Sequence, residues 1–383
     1  MQENLNSLKQ MKKKLKKKIG QLHLWLGLAS GLVLFTVALT GSLLVFEKEI
    51  DQFFNPEFYY VPSVGPSKKT IDVCTAAIQK KYAVEKINRI ILYNDPKRTM
   101  IIIGKDGEGD NQIFSLDPYT GNVLGNIAQE NRFFSIVLNI HRHLLLHDIG
   151  EIITGCSCLI FVFMLISGLV LWWPKKAKHL KQRLTVKWTA SFKRVNWDFH
   201  STFGFYTFLF LLIIALTGLT WSFKWFENSM YFIANGTTER PSPKVENPTK
   251  VDPQSNKTAF YQNLYRKTDS IFPYKGNIQI RMPADTIHSI LVLKENLEFS
   301  IPNQSSAIYF DKYTGKDIEI RPYESFSKGD KLKRLMYPIH TGSIYGYPTK
   351  ILAFIVCIFA VTLPLTGLLI WLGKKKKDRK TNF

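Results

Sequence analysis

Cysteine is nearly absent, with four in 383 residues. Cys74 stands alone outside the apolar runs, and Cys156, Cys158 and Cys357 lie within them. A single thiol excludes an intradomain disulfide in the polar parts of the chain. Cys156-x-Cys158 has too few partners for a zinc site. Acid is scarce in three stretches. Residues 1–22, 174–198 and 374–383 hold 7, 8 and 6 Lys or Arg, against Glu3, Asp198 and Asp378 alone. No Gly-x-Gly-x-x-Gly fingerprint follows a strand and opens a helix, which excludes a resident dinucleotide domain. The three basic stretches are too short for a flavin domain. The apolar runs contain no Asp, Glu, Lys or Arg, which argues against a permease with a polar path at mid-membrane.

What is present is hydrophobic length. Leu24–Phe46, Ile152–Trp173, Phe203–Phe223 and Ile351–Leu372 are each long enough to cross a bilayer. Glu47-Lys48-Glu49 follows the first run without a small-residue cleavage site, so that run reads as a retained anchor. The basic stretches account for most of the formal net charge of +21. By the positive-inside rule they place both termini and the middle loop in the cytoplasm. Their position beside membrane helices, where topology and anionic lipid explain them, excludes nucleic acid as the partner.

The expected architecture is a membrane α-helical bundle of four spans with two extracytoplasmic α+β domains, built as an internal duplication. Its divisions are a basic tail (1–22), a first span (23–46), an outer domain (47–140), an outer histidine segment with the second span (141–173), a basic loop (174–198), a third span (199–223), a linker with a second outer domain (224–339), a histidine segment with the fourth span (340–372), and a basic tail (373–383). The tail is expected to form a short helix on the membrane surface. In the first outer domain, Ile71–Lys81 has helical spacing. Ile87–Tyr93, Thr99–Gly104 and Gln112–Leu116 are β-rich. Gly104-Lys105-Asp106-Gly107-Glu108-Gly109 lies between two strands and carries acids, so it reads as a hairpin rather than a phosphate loop. The second outer domain repeats the plan, with a helix over Thr258–Arg266 and strands over Asn277–Arg281, Ser289–Leu293 and Ser306–Phe310. Asp117-x-Tyr119-Thr120-Gly121 and Asp311-x-Tyr313-Thr314-Gly315 follow corresponding strands. Asn235–Gln254, rich in Pro, Thr, Ser and charge, reads as a flexible linker.

The repeat sorts the eight histidines. His23 precedes Gly27 by 4 residues and Thr40-Gly41 by 17 and 18, and His200 stands at the same intervals from Gly204 and Thr217-Gly218. His141 precedes Gly168 and Trp172 by 27 and 31 residues, and His340 repeats both intervals to Gly367 and Trp371. His179 and His288 have no such twins and read as solvated. His143 and His147 are secondary candidates, to hydrogen-bond a propionate or relay a proton. His23 and His200 fall at one membrane face, His141 and His340 at the other. Histidines at membrane spans are costly and usually functional. Pairs converging from different helices of a bundle suit bis-imidazole haem. A zinc ion is disfavoured, because two nitrogens per face with no acid or thiol at ligand spacing leave it under-coordinated. Gly27 and Gly204 would give a flat macrocycle clearance, while Gly41 and Gly218 would let helices pack closely. Asp198 is a candidate to orient His200, and Phe35 and Phe208 to lie between the two faces.

Leu22-His23-x-x-x-Gly27, His141-Arg142-x-Leu144-Leu145, Asp198-x-His200-Ser201-x-x-Gly204, Ile339-His340-Thr341-Gly342 and the two Asp-x-Tyr-Thr-Gly turns together resemble the PepSY-associated transmembrane family. The branch is that of iron-regulated membrane proteins, and the likeness runs from about His23 to Trp371. It implies PepSY-like outer domains, two b-type haems, and a ferric-siderophore reductase-like oxidoreductase serving iron acquisition. The haem axial ligands would be His23 with His200 and His141 with His340. The acceptor would be a ferric siderophore or another ferric chelate in the periplasm, and the donor a quinol or a cytoplasmic reductase. The PepSY name also implies an alternative, a membrane-anchored module that binds a peptide or peptidase without redox activity.

Overall fold

The computed structural model describes residues 2–239, 244–250 and 259–380. It separates into two compact units.

The first unit is helical. Its long helices are α1 (Gln2–Val45), α4 (His147–Trp172), α5 (Phe192–Ser222) and α8 (Tyr347–Lys380). All four are long and apolar enough to span a membrane. α1 packs beside α4 and α8, and α5 packs beside the same two, so α1 stands diagonally across the bundle from α5. The basic tail, expected as a separate surface helix, instead continues into the first span as one helix. Lysine is a good helix former and no Pro interrupts the stretch, so nothing breaks the helix at His23. The middle of the bundle is apolar, with Leu165, Leu211, Val356 and Ala360 buried and Phe208 packed against them.

The second unit contains α2 (Ile71–Tyr82), β1 (Lys86–Leu92), β2 (Met100–Lys105), β3 (Asn111–Leu116), β4 (Val123–Ala128), α6 (Phe260–Ile271), β5 (Gly276–Arg281), β6 (Ile290–Asn296), β7 (Ser305–Phe310) and β8 (Asp317–Arg321). Two short helices, α3 (Phe133–His143) and α7 (Lys328–His340), lead from this unit toward the second and fourth spans. The predicted strands fall where the β-rich runs placed them, within a few residues. β4 and β8, the two edge strands, carry weak patterns and were not anticipated.

The outer segments do not form separate domains. β1 pairs antiparallel with β5, and this joins the strands into one eight-stranded sheet of order β4-β3-β2-β1-β5-β6-β7-β8. Ile90 pairs with Ile280 at the join, both fully buried. One core serves both halves, with Ile71, Cys74 and Ile78 of α2 and Leu264 of α6 lying over Ile102, Ile278, Ile290, Val292 and Ile308. Each such side chain contributes roughly 1.5–3 kcal/mol of burial. The two helices also cap each other. Asp72 accepts from the amides of Tyr261 and Gln262 at 3.0 and 2.9 Å, and the Gln262 side chain accepts from the Ile71 amide at 3.1 Å. These bonds satisfy donors that helix starts otherwise leave open.

The two Asp-x-Tyr-Thr-Gly stretches are matched turns. Asp117 and Asp311 are buried, and each takes its own Tyr amide, at 2.8 and 2.9 Å. Gly121 and Gly315 close the turns at φ of 77° and 68°, where a side chain is disfavoured. The 104–109 glycines form a hairpin, as predicted, with Asp106 capping the amides of Glu108 and Asp110. Part of the expected flexible linker is docked. The Asn247 side chain accepts from the Lys312 amide and Asp311 accepts from the Thr249 amide, which fixes this segment against the second turn. Residues 240–243 and 251–254 of that stretch, and Thr258 of the predicted helix, lie outside the described residues.

Candidate functional site

Four imidazoles in the helical unit share one environment. His23 Nδ1 lies 2.8 Å from Ser167 Oγ, and His200 Nδ1 lies 2.8 Å from Thr366 Oγ1. His141 Nδ1 lies 3.1 Å from Thr40 Oγ1 and 3.0 Å from the Val37 carbonyl. His340 Nδ1 lies 3.1 Å from Thr217 Oγ1 and 2.9 Å from the Ile214 carbonyl. A carbonyl only accepts, so Nδ1 carries the proton in His141 and His340. For His200 the Thr366 hydroxyl decides, since it donates its own proton to the Thr362 carbonyl at 2.8 Å and is left to accept from Nδ1–H. For His23 the hydroxyl decides. Ser167 donates its own proton to the Met164 carbonyl at 3.1 Å, so its oxygen is left to accept from Nδ1–H. The Thr hydroxyls likewise donate to their own helix backbones.

Beside each hydroxyl is a glycine. A Cβ on Gly41 would lie 3.1 Å from His141 Cε1, and one on Gly218 would lie 3.1 Å from His340 Cε1. Gly168 and Gly367 face His23 and His200 in the same way, at 3.4 and 3.5 Å. Each long helix thus supplies one hydroxyl-glycine pair on which the histidine of a neighbouring element rests. The pairs are Thr40-Gly41, Ser167-Gly168, Thr217-Gly218 and Thr366-Gly367. This partly reverses the roles expected of the glycines. Gly41 and Gly218, read as helix-packing positions, face histidine rings. Gly27 and Gly204, read as clearance for a macrocycle, face the side chains of Met164 and Leu363.

With Nδ1 and Cε1 turned to a helix, Nε2 is the free ring nitrogen. It has no hydrogen-bond partner in any of the four among the described residues, and it is not sealed from access. The His141 and His340 ring centres are 6.3 Å apart. Two imidazoles bound through nitrogen to one metal at about 2.0 Å, with about 1.1 Å from nitrogen to ring centre, would place those centres about 6 Å apart. His23 lies within electrostatic reach of His200, and these two come from the diagonal helices α1 and α5. The His141–His340 spacing therefore suits a bis-imidazole centre, and His23 with His200 is the second candidate pair. Among the described residues no group of three or more His, Cys, Asp or Glu is placed to hold a bare metal ion.

The pairs lie at opposite ends of the bundle. Thr40, which touches His141, follows His23 by 17 residues on α1, a rise of about 26 Å. The interval from His200 to Thr217 on α5 is the same. Near His200, Phe203 stacks on Phe359 at 4.3 Å. Phe208 sits in the apolar middle, as expected of it.

The other predicted residues take different places. Asp198 does not orient His200. It accepts from Arg194 Nε at 2.8 Å and from the Lys187 amide at 3.3 Å. The imidazole is turned instead toward α8, where Thr366 holds it. His143 and His147 meet each other, with His143 Nδ1 3.3 Å from the His147 carbonyl, and neither joins the pairs. They belong to a tight turn into α4, in which Leu144, Leu145 and His147 all have positive φ. A Cβ on Gly150 would fall 1.6 Å from the His143 carbonyl oxygen, so the start of α4 requires glycine. His288 is not merely solvated, since its Nδ1 lies 2.7 Å from the Asp285 carboxylate. The hydroxyl partners Thr40, Ser167, Thr217 and Thr366 were missed as orienting groups. Their signal was only partly in view, because every apolar run holds a Ser/Thr-Gly dipeptide but Ser30-Gly31 and Thr154-Gly155 add a second to the first two.

Four apolar helices and a separate antiparallel sheet unit define a multi-pass membrane protein with an appended soluble unit. Residues 21–374 match the PepSY-associated TM region, and the chain belongs to that family. No curated protein matches the sequence.

Proposed function

We propose that the chain binds two b-type haems, one between His23 and His200 and one between His141 and His340. In this reading it is an inner-membrane electron conduit that reduces a ferric siderophore or another ferric chelate for iron acquisition. The observation that carries the proposal is the common setting of the four imidazoles, each with its Nδ1 proton engaged and Nε2 free, converging in two pairs. Held by such a pair, a haem supplies a one-electron iron couple whose potential its ligands tune. Ser167, Thr40, Thr217 and Thr366 keep the proton on Nδ1 and fix the ring planes, the task of groups that orient metal ligands. The glycines let each ring lie against a helix backbone. Leu165, Leu211, Phe208 and Val356 keep water out of the stretch between the ends.

Charge supports the orientation, with the basic ends and the His23–His200 pair in the cytoplasm and both termini there. The sheet unit then lies in the periplasm, where the chelate is met. A quinol or a cytoplasmic reductase supplies electrons at the His23 side. Ferrous iron is a softer acid than ferric iron and binds hard oxygen donors less tightly, so reduction releases it from the chelate.

The test is a visible spectrum of the purified protein with and without dithionite, with haem counted as the pyridine haemochrome. The expected result is a Soret band, sharpened α and β bands on reduction, and two haems per chain. A folded but colourless protein from haem-replete cells would overturn the reading and favour the peptide- or peptidase-binding alternative.

A further inference from the structure

The sheet has two faces. One carries the shared core, and the other carries the residues that alternate with it. At the join of the two halves, Arg89 of β1 stands directly opposite Arg281 of β5. Their neighbours Ile90 and Ile280 are fully buried in the core, so alternation turns both arginines to the other face. Like charges at directly opposed positions destabilise a sheet. A third cation, Arg334 of α7, acts electrostatically on Arg281 and donates to the Ser305 carbonyl at 3.0 Å. Arg281 donates to the Gln279 side chain, a neutral partner, at 2.5 Å. Among the described residues no carboxylate pairs with Arg89 or Arg281. Desolvation of its head group, together with the charges of Arg89 and Arg334, pulls the Arg281 guanidinium down to about 10. The flanking positions are apolar, Ile103 opposite Arg89 and Leu291 opposite Arg281. Yet Arg281 is exposed and Arg89 half-buried, so the cations can be reached.

A fold gains nothing from this arrangement by itself, and a bound anion would offset its cost. Planar guanidinium groups hold carboxylates in bidentate fashion, and an apolar surround strengthens such bonds. We infer that Arg89, Arg281 and Arg334 form a docking site for a multiply charged, oxygen-rich anion of the ferric polycarboxylate class. The assignment of iron rests on the reductase reading above, whereas the anion site rests on the sheet alone. A phospholipid phosphate presents related chemistry, and the test separates the two.

The experiment uses the full chain in nanodiscs of zwitterionic lipid, titrated by calorimetry with gallium(III) citrate, a redox-inert stand-in for the ferric complex. Wild type should bind it saturably. Arg89→Gln and Arg281→Gln should each weaken binding about tenfold or more, the scale of one lost charged hydrogen-bond pair. Neither should lower the melting temperature, because each removes a repulsion. Arg281→Lys keeps the charge but loses the fork, so its affinity should fall between those of wild type and Arg281→Gln. Unchanged affinity in the two Gln variants, or no binding by wild type, would overturn the site. So would sensitivity of these variants to anionic nanodiscs with no chelate binding, which would make it a headgroup site. Haem absorbance of the same samples separates the two proposals. A colourless protein that still binds the gallium chelate through these arginines sinks only the reductase reading. A haem-loaded protein that does not bind it sinks only the docking site.

Discussion

The two ends of the bundle solve one problem with different margins. At the His141–His340 end, both imidazoles hold a carbonyl and a threonine, and a Cβ added to the glycine beneath either ring would come within 3.1 Å of it. They arrive on short helices outside the four spans, so their placement depends on contacts made after the chain turns. At the other end His23 and His200 are part of the spanning helices, and a Cβ added to Gly168 or Gly367 would lie 3.4 or 3.5 Å from the ring. There each imidazole has one hydroxyl, Ser167 for His23 and Thr366 for His200. A histidine built into a continuous helix needs little further support. One delivered by a separate segment needs a closer-fitting seat.

The largest effect expected is loss of one centre without the other. His340→Ala or His141→Ala should halve the haem count, as should His23→Ala or His200→Ala, and each should spare the opposite pair. Haemochrome titration reads this directly, and joint loss of both haems from any one variant would abolish the distinction between the ends. In vesicles of known orientation, His23→Ala should still pass electrons from an outside reductant to a ferric chelate, but not from an inside donor. His340→Ala should show the reverse.

The next effect concerns the hydroxyls. Ser167→Ala strips His23 of its acceptor, whereas Thr217→Val leaves His340 the Ile214 carbonyl. Haem affinity at the first site should fall on the order of tenfold, the lower range for groups that orient metal ligands, and Thr217→Val should fall by less. Equal losses in a haem-transfer assay would show that the carbonyls do not share the load.

Glycine clearance should give a smaller difference. Gly218→Ala must displace the His340 ring by a few tenths of an ångström, while Gly367→Ala makes only ordinary contact with His200. The expected cost is about 1 kcal/mol of thermal stability for the first and little for the second, within the overpacking range. A larger cost at Gly367 would reverse the ranking of the two ends.

The smallest effect lies in the turns. His147 holds φ at 49° six residues after His141, and Gly346 holds φ at 71° six residues after His340. The second half thus uses glycine where the first strains a histidine. His147→Gly should keep both haems and raise stability by up to about 1 kcal/mol, the left-handed penalty less the extra freedom of glycine when unfolded. Loss of haem in this variant would give His147 the ligand role that the structure withholds from it.

The four spans, the two histidine pairs and six of the eight strands were legible because each leaves a pattern within a few consecutive residues or recurs at a fixed interval. The second-half repeat of the 27- and 31-residue spacings was enough to set His141 apart from His143. What was not legible required knowing which elements are neighbours. Thr40-Gly41 follows His23 in sequence but serves His141, a partner on another helix. Asp198 stands two residues from His200 and serves Arg194 instead. The join of β1 to β5 was hidden for the same reason, because Ile90 and Ile280 read as core positions whether their domains are separate or shared.

That join also constrains how the molecule can be divided. Were the chain cut between its halves, each fragment would carry half a hydrophobic core and one inner strand with a bare row of amides and carbonyls. Such an edge templates pairing with whatever strand is at hand. A fragment meeting only copies of itself would find its own inner strand the best match, since antiparallel pairing across a two-fold axis sets the same patch against itself. The intact chain provides that match internally, within one polypeptide and at a fixed ratio of one to one.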